Sequence, residues 1–422
     1  MSLHVDVLDS MQSDRLHIRA AELVPNAIYK LVLRLSHKYG THMSYAIFKA
    51  DSAGEIDVPS MKPLRGSYNE ADAMGLFMSV RPCDDFPFGA YLLCTPPIPF
   101  VYHLCLIDSA DHELAMVAIK KHWMHPNLER IEIEEDGFCG TLFKPPGDGP
   151  FPAVIDISGT GGGLHEHKGS MLASEGFAVL CVAFFEYKDL VKDLSEVELE
   201  YFEKPIKWLK RQSFTTDRLG IQGVSFGATI VILIASRYPE VNAVVAINGP
   251  HMMSNYANLK ENGELLPEAE LADELIYFIN GVMASDKSML HAKLDSTVEV
   301  PWYRMSRSTS FRIVAAVDDL VAPSVFSCRY MAENLRAAGC DVEIHLLNGG
   351  HIMEPPYFPH HELVFAKFQG FCCGFGGDAV LHGKSQEISW QGTIDFFKRK
   401  LGQPGTMPDW NRIQHVAHAS RL

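Results

Sequence analysis

The sequence lacks the features that mark nucleic-acid-binding, membrane-spanning and secreted proteins. Its 422 residues carry a formal net charge of −15 and contain no dense stripe of Lys or Arg, so a nucleic-acid partner is not expected. No apolar run approaches the roughly 18 to 20 residues that cross a bilayer. The N-terminal stretch has no basic region followed by an apolar core, so export by a signal peptide is not expected either.

Metal-ligand motifs are also missing. The nine cysteines are scattered, odd in number and mostly set in apolar segments, which is typical of reduced intracellular thiols that act as small hydrophobes. No pair of C-x-x-C elements exists, so zinc is not indicated. We expect the protein to use neither a metal nor a cofactor.

The first part of the chain follows the two-residue period of half-buried strands. In "IYKLVLRLSH" apolar residues alternate with Lys30, Arg34 and Ser36, and similar segments follow in "HMSYAIFKAD", "GLFMSVRP", "VYHLCLIDSA" and "ELAMVAIKKHW". Turn signals separate these segments, and no convincing amphipathic helix intervenes. We therefore predict an all-β sandwich over residues 1–127, which ends in a linker within "HWMHPNLER".

After this linker, apolar strand-like runs alternate with longer helical patterns, from "PAVIDIS" to "VEIHLLNGGH". Runs that are apolar on both faces and spaced by helices indicate a parallel sheet covered on each side. Residues 251–308 interrupt the alternation and are predicted to form a cap or loop region. The expected fold class is α/β, with a second domain over residues 128–410 and an exposed tail over 411–422.

One serine stands between two glycines where a strand gives way to an apolar helix. Gly223, Ser225 and Gly227 form a G-x-S-x-G pattern, which is weak evidence by itself. Its context strengthens it, because "RLGIQ" is typical of a strand and "FGATIVILIASRYP" of a helix, the arrangement that a nucleophile elbow requires. Glycine is needed on both sides because a side chain there would collide with the strand or the helix. Ser225 is the predicted nucleophile, and a small residue filling a turn is the simpler alternative.

A serine hydroxyl needs a base, and the base needs a carboxylate that orients it. The strand "FRIVAAV" ends at Asp318 and Asp319, and "VEIHLL" is followed by "NGGH", which contains His351. The carboxyl ends of parallel strands meet at one edge of a sheet, so these side chains are expected beside Ser225. The pattern leaves open which aspartate orients the histidine. An ordinary loop histidine is the alternative for His351, since the chain has 19.

Attack on an acyl carbonyl creates an oxyanion that needs preorganised N–H donors. The backbone N–H of Phe226 is one predicted donor. The loop "SGTGGG" after the strand "AVIDI" supplies a second, and we take Gly161 as that donor. The loop has an alternative interpretation as a phosphate cradle, but it has neither the G-x-G-x-x-G nor the G-K-[ST] form.

Longer stretches of the chain resemble one protein family. "LRGSYNEADAMGLFMSV", "SGTGGGLHEHKGSMLASEGFAVL", "GVSFGATI", "VVAINGP" and "GGHIMEPPYFPH" are similar to segments of the acyl-CoA thioesterase and bile acid-CoA:amino acid N-acyltransferase family. The likeness covers about residues 10 to 402 and implies an N-terminal immunoglobulin-like sandwich with a C-terminal α/β-hydrolase domain. It also implies Ser225 as nucleophile, His351 as base and Asp319 as acid. Phe226 and the segment "LVAPS" after the acid depart from the family pattern.

The resemblance implies an acyl-CoA substrate and two reactions. A serine forms an oxygen ester that water hydrolyses with His351 as base, whereas the N-acyltransferase branch of the family uses a cysteine nucleophile. We therefore expect hydrolysis of acyl-CoA to free acid and CoA, with acyl transfer to glycine or taurine as the alternative. A carboxylesterase or dienelactone hydrolase, and a protein that binds acyl chains without turnover, are further alternatives.

The last three residues, Ser420, Arg421 and Leu422, are similar to the S-K-L terminus that a peroxisomal import receptor recognises. The preceding "MPDWNRIQHVAHA" is rich in Pro, Asn and His, as expected of an exposed tail. We predict a peroxisomal protein, with the cytoplasm as the alternative location.

Overall fold

The computed structural model describes residues 1–83, 89–92, 94–293, 297–366 and 370–405. An N-terminal pair of β-sheets packs against a larger sheet that helices cover on both faces. The C-terminal Ser420, Arg421 and Leu422 of the predicted import signal lie outside the described residues.

The described residues of the N-terminal part form strands and one helical turn, α1 (Gly75–Met78). The strands are β1 (Ser2–Val5), β2 (Asp9–Met11), β3 (Ile18–Ala21), β4 (Ile28–His37), β5 (Gly40–Lys49), β6 (Ile56–Asp57), β7 (Arg65–Gly66), β8 (Arg81–Pro82), β9 (Phe100–Ile107) and β10 (Glu113–His122). One sheet has the order β1-β3-β6, and the other has the order β2-β10-β9-β4-β5-β7 with β8 on β5. Neighbouring strands are antiparallel except β2, which runs parallel to β10.

The two N-terminal sheets share a buried apolar core, as the predicted all-β region requires. Leu31 and Leu33 of β4 and Ile18 of β3 belong to one cluster of buried side chains. Arg34 of β4 is exposed between buried leucines, so the alternation in the sequence is the alternation of inward and outward faces.

The prediction of a strand in "GLFMSVRP" is wrong for the first half of this segment. Gly75–Met78 form α1, and only Arg81–Pro82 pair with β5. All four residues of α1 are buried, so this segment has no exposed face whose period could distinguish a helix from a strand. Gly75 lies against the ring of Tyr68, where a Cβ would come within 2.4 Å of the ring carbons.

The C-terminal part contains the large sheet and its covering helices. Its strands are β11 (Glu129–Glu135), β12 (Phe138–Lys144), β13 (Phe151–Ile157), β14 (Ala178–Ala183), β15 (Thr215–Val224), β16 (Val241–Ile247), β17 (Lys260–Glu261), β18 (Glu264–Leu265), β19 (Tyr277–Ile279), β20 (Val282–Ala284), β21 (Ser310–Ala316), β22 (Asp341–Leu347), β23 (Leu363–Ala366) and β24 (Phe371–Gly374). Its helices are α2 (His167–Ala173), α3 (Glu203–Lys210), α4 (Phe226–Arg237), α5 (Asp286–Leu290), α6 (Ser324–Ala337) and α7 (Ala379–Leu401). Short 3₁₀ turns lie at Leu194–Glu196, Leu199–Phe202, Asp273–Leu275 and Trp302–Arg304. Within the described ranges, no helix combines the length and the apolar composition needed to cross a membrane.

The large sheet has the strand order β11-β12-β14-β13-β15-β16-β21-β22. β12 pairs antiparallel with β11 and with β14, and the remaining neighbours are parallel. β13, β14 and β21 are buried along their whole length, as expected of strands covered on both faces. This order, with helices on both sides, is that of an α/β hydrolase, and it confirms the predicted fold class.

Two buried apolar clusters lie on the two faces of the large sheet. One includes Ile206 of α3, Ile232 of α4 and Met331 of α6. The other includes Leu172 of α2 and Phe397 of α7, and it is continuous with the core of the N-terminal sandwich. The sandwich therefore packs on the large sheet through a shared apolar core.

The predicted linker is anchored in this shared core. Trp123 and His125 of "HWMHPNLER" are completely buried, and the Ser170 hydroxyl of α2 donates to the Trp123 carbonyl at 2.8 Å. Pro and Asn favour a turn there, but the pattern does not reveal that their neighbours are packed. The domain boundaries at 127 and 410 stay predictions.

The 251–308 insertion lies partly beside the residues that follow β21. Its strands β19 and β20 join β24 and β23 in a four-stranded sheet of order β19-β20-β24-β23. The backbone N–H of Ser285 donates to the Leu320 carbonyl at 2.9 Å, and its hydroxyl donates to the Val321 carbonyl at 2.8 Å. This part of the insertion thus flanks the C-terminal edge of the large sheet.

Candidate active site

Ser225 occupies the turn between β15 and α4 in a strained backbone conformation. Its φ of 60° and ψ of −134° lie in a region that non-glycine residues rarely adopt. A Cβ on Gly223 would come within 2.2 Å of the Gly227 carbonyl oxygen, and one on Gly227 within 2.4 Å of the Ser158 carbonyl oxygen. The steric reason for both glycines is therefore confirmed, and the serine is half-buried at the start of the helix.

Three predicted residues meet at the C-terminal edge of the sheet. The Ser225 Oγ lies 2.7 Å from His351 Nε2, and His351 Nδ1 lies 2.8 Å from Asp319 Oδ2. An ionised carboxylate only accepts hydrogen bonds, so Nδ1–H donates to Asp319 and Nε2 is left to accept from the serine hydroxyl. His351 and Asp319 are 2% and 7% exposed, so bulk water does not compete for their hydrogen bond. An arrangement of this kind can deprotonate a serine hydroxyl as it attacks a carbonyl carbon.

The two adjacent aspartates occupy different environments. Asp319 is buried and accepts hydrogen bonds from the N–H groups of Val321 and Ala322, at 2.9 and 3.1 Å, and from the Ser324 hydroxyl. These donors fix its carboxylate toward His351. Asp318 is exposed. The structure therefore brings Asp319, and not Asp318, to the histidine.

Hydrogen bonds to its backbone hold the loop that carries His351. Its N–H donates to the Phe375 carbonyl at 2.7 Å, and the Asn248 Nδ2 donates to the His351 carbonyl at 2.6 Å. The N–H of Gly350 donates to Nδ1 of His382 at 3.1 Å. Neither Asn248 nor His382 was predicted from the sequence as a support of this loop. The signal that could have found Asn248 is its place directly after β16, at the same sheet edge as the other site residues.

Two elements lie where an oxyanion could be bound. Phe226 is the first residue of α4, so its N–H has no intrahelical acceptor and lies at the positive end of the helix. The loop after β13 approaches the serine at Gly159, where a Cβ would be 3.0 Å from Ser225 Cβ and 3.4 Å from its Oγ. Gly161 faces open space, and its role as second donor stays a prediction. The approach of Gly159 was not anticipated from the sequence.

A buried polar network joins the His351 loop to α2 and to the N-terminal part. Glu354 lies three residues after His351 and is 4% exposed. Its carboxylate accepts from the Tyr91 hydroxyl at 2.5 Å and contacts His167 Nε2 at 2.8 Å and Lys168 Nζ at 3.8 Å. Burial opposes the charge of Glu354, but Lys168 and His167 hold the pKa of its carboxyl below the usual range.

The same network extends toward the elbow. Burial opposes the charge of Lys168, but Glu354 and Asp156 keep the pKa of its ammonium above its ordinary value. Burial raises the pKa of the Asp156 carboxyl on β13, which accepts from Gln222 Nε2 at 2.9 Å. Gln222 lies three residues before Ser225. Buried polar groups that satisfy one another in this way fix the relative positions of the segments that carry them.

Several histidines lie near this network, and three of them, His42, His361 and His382, are buried. Burial lowers the pKa of His42 and His165 to about 4 and of His361 and His382 to about 3. All four are therefore neutral in the folded protein at neutral pH. Among the described residues, no group of three or more His, Cys, Asp or Glu side chains is arranged to hold a metal ion.

The lowered pKa values of these histidines predict that the folded protein loses stability in mild acid. In the unfolded chain each of these histidines takes up a proton near pH 6.5, whereas in the folded protein it takes up a proton only at about pH 3 to 4. The unfolded state thus binds more protons in this window, so the free energy of unfolding is highest above pH 6.5. It falls as the pH drops below 6.5, by up to about 1.4 kcal/mol per pH unit for each histidine. Urea unfolding at pH values between 7.5 and 5 measures this slope.

A pair of variants separates the buried histidines from other titrating groups. Gln at position 361 can still accept the hydrogen bond that Leu92 N–H donates to His361 Nε2 at 3.2 Å. H361Q should therefore reduce the slope by the contribution of one proton, while I388Q, which adds no titrating group at an exposed position, should not change it. An unfolding midpoint that stays constant from pH 7.5 to 5 contradicts the prediction.

The sheet order and the elbow place the protein in the class of α/β hydrolases. Family profiles give a narrower assignment. The profile described as "BAAT / Acyl-CoA thioester hydrolase C terminal" matches residues 197–403, and "Acyl-CoA thioester hydrolase/BAAT N-terminal region" matches residues 13–135. The chain belongs to the acyl-CoA thioester hydrolase/BAAT family.

Curated relatives match over most of their length. Acyl-coenzyme A thioesterase 3 of Mus musculus is 32% identical over 404 residues, which cover 93% of this chain and 92% of that protein. Peroxisomal succinyl-coenzyme A thioesterase of Mus musculus is 30% identical over 370 residues, which cover 85% of this chain and 86% of that protein. Acyl-coenzyme A amino acid N-acyltransferase 1 of Mus musculus is 31% identical over 415 residues, which cover 94% of this chain and 97% of that protein.

Proposed function

We propose that this protein hydrolyses acyl-CoA thioesters to free acid and CoA through a covalent acyl-Ser225. The observation that carries the proposal is the unbroken contact from the Ser225 hydroxyl through His351 to Asp319. Membership of a family that contains acyl-CoA thioesterases supports acyl-CoA as the substrate.

In the first half-reaction, Ser225 Oγ attacks the thioester carbonyl carbon while its proton moves to His351 Nε2. Asp319 stabilises the imidazolium and keeps its ring in place. The negative charge on the carbonyl oxygen is held by the Phe226 N–H and by a donor of the glycine-rich loop, for which Gly161 is our candidate. Collapse of this intermediate breaks the carbon–sulfur bond. The departing sulfur takes the proton from His351 and leaves as CoA thiol.

In the second half-reaction, water replaces the thiol. His351 Nε2 takes a proton from the water while the water oxygen attacks the acyl-Ser225 carbonyl carbon. Nε2 then donates this proton to Ser225 Oγ. The ester bond breaks and the free acid is released. Each step is acid–base and acyl-transfer chemistry, so the proposed residues complete it without a cofactor.

The proposal is tested by measuring thiol release from acyl-CoAs of graded chain length, with and without glycine and taurine. Hydrolysis predicts free acid as product whether or not the amine is present. A second candidate is N-acyl transfer, which the N-acyltransferase relative favours, and it predicts diversion of the product to amide. Preferential cleavage of simple esters, or the absence of any thiol release, contradicts the proposed function.

We also assign the protein to peroxisomes, with residues 1–127 as sandwich domain, 128–410 as catalytic domain and 411–422 as the import tail. The support is the terminal Ser420, Arg421 and Leu422, together with a peroxisomal relative. A fluorescent protein fused to the N-terminus should co-localise with a peroxisomal marker and become cytoplasmic when Leu422 is deleted. Unchanged distribution after the deletion rules out this signal.

A further inference from the structure

A short segment of the N-terminal part contacts the C-terminal part beside the active site. It consists of the described residues 89–92, 94 and 95, which lie between β8 and β9, and we call it the connecting segment. Leu92 and Cys94 are buried in the apolar core that the sandwich shares with the large sheet. Apolar packing therefore anchors this segment.

The connecting segment binds the histidine loop, which we define as residues 351–366. The Tyr91 hydroxyl donates to the Glu354 carboxylate at 2.5 Å. Farther along the loop, the Phe365 N–H donates to the Gly89 carbonyl at 2.8 Å. The loop that carries the proposed base is thus attached to the N-terminal part near its start and near its end.

The same segment binds the chain that leads from the glycine-rich loop, residues 158–163, to α2. The Thr95 hydroxyl donates to the Leu164 carbonyl at 2.9 Å and accepts from the Glu166 N–H at 3.2 Å. α2 begins at the next residue, His167. The connecting segment therefore contacts the histidine loop and also the chain next to the loop that supplies the proposed oxyanion donor.

Glu354 links these contacts in the protein interior. It is the first residue after His351 with a polar side chain. Besides the Tyr91 hydroxyl, its carboxylate contacts His167 Nε2 at 2.8 Å. Tyr91, Glu354 and His167 thus form a bridge from the connecting segment through the histidine loop to α2.

This bridge needs the Tyr91 hydroxyl because Glu354 is buried and charged. Burial opposes the charge, but Lys168 and His167 hold the pKa of the Glu354 carboxyl below its usual range. Burial also raises the pKa of the Tyr91 phenol, so its hydroxyl stays protonated and donates. A buried carboxylate that loses a donor cannot replace it with bulk water, and we expect it to move toward its remaining partners.

We infer that the connecting segment fixes the histidine loop and the glycine-rich loop relative to each other, and that Tyr91 is a positioning residue for His351. The inference rests on the proposed function, since it concerns the base and the oxyanion donor of that reaction. Ser225 belongs to neither loop, so a shift of the histidine loop changes the distance from its Oγ to His351 Nε2. A displacement of about 1 Å can lower the rate of a chemical step by about 10²-fold.

Removing the Tyr91 hydroxyl tests the inference. Y91F keeps the ring and should lower kcat for palmitoyl-CoA about tenfold, with KM within about twofold, because the base is displaced while the substrate still binds. Y29F is the matched control, since the Tyr29 hydroxyl accepts from the Val24 N–H at 3.0 Å within the N-terminal part. It should keep both constants within about twofold of the unmodified protein. The thermal midpoint reports whether each variant is folded.

A second variant removes the contact to the other loop. Valine has the shape of threonine, but in T95V it can neither donate to the Leu164 carbonyl nor accept from the Glu166 N–H. T95V should therefore also lower kcat, by at least about threefold, with little change in KM. If Y91F does not fold, the outcomes below are decided on T95V.

Labelling by a fluorophosphonate measures the same positioning without acyl-CoA. Ser225 Oγ displaces fluoride from this reagent with His351 as base, so the labelling rate should fall in Y91F by about the factor seen in kcat. It should be unchanged in Y29F. Unchanged kcat and labelling in folded Y91F, an equal loss in Y29F, or a rise in KM alone overturns the inference. Labelling of Ser225 without thiol release from any acyl-CoA contradicts the proposed function instead, and the labelling rates still test the inference.

Discussion

Replacing Ser225 by alanine is expected to reduce thiol release from palmitoyl-CoA by at least about 10³-fold. The reason is that the proposed covalent route depends on the Ser225 hydroxyl, which lies 2.7 Å from His351 Nε2. Residual catalysis would come from the oxyanion donors and from substrate binding alone. Steady-state release of CoA, followed with a thiol reagent, measures the effect.

The substitution should leave the fold intact, because alanine removes only the hydroxyl and retains a Cβ at this strained position. S52A, in an exposed turn of the N-terminal part, serves as the matched serine control and should keep full activity. Circular dichroism and the thermal midpoint report folding of both variants. Full activity of folded S225A contradicts the covalent mechanism.

Replacing Asp319 by asparagine is expected to lower kcat by about 10³- to 10⁴-fold. The amide oxygen of the new side chain can still accept from the Val321 and Ala322 N–H groups, so the turn should persist. The amide nitrogen, however, would face His351 Nδ1 as a donor. The imidazole would then favour the tautomer that is protonated on Nε2, which cannot take the serine proton.

The neighbouring aspartate provides the matched control. D318N makes the same chemical change one residue away, at an exposed side chain. It should retain activity within about twofold of the unmodified protein, as surface substitutions commonly do. Equal losses in the two variants contradict the assignment of Asp319 as the residue that orients His351.

The meeting of Ser225, His351 and an aspartate could be predicted from the sequence because each follows an apolar strand of a parallel sheet. The choice between the two aspartates could not be made from that pattern. It depends on the turn after β21, where the Val321 and Ala322 N–H groups and the Ser324 hydroxyl converge on Asp319. A local sequence pattern does not encode which of two adjacent carboxylates a turn encloses.

The supports of the site were harder to predict because their partners are distant in sequence. Asn248 binds the carbonyls of residues 350 and 351, and Glu354 binds Tyr91 and His167. Such contacts leave no periodicity along the chain. Only the assembled fold shows that the N-terminal part contributes Tyr91 to the network behind the histidine loop.

Secondary structure was predicted best where one face is exposed. β4 alternates between buried and exposed residues, and its sequence shows this directly. α7 was missed because its buried face includes polar side chains, among them Ser385, Gln386 and Thr393. A buried face of that kind weakens the apolar 3.6-residue period from which helices are inferred.

The most direct measurement is the mass of the peptide that contains Ser225 after a reaction with palmitoyl-CoA is quenched in acid. We expect a palmitoyl ester on Ser225 that accumulates within the first turnover and is absent from S225A. Release of CoA at the full rate with no acyl group on Ser225, or with the acyl group on a cysteine instead, contradicts the covalent serine mechanism.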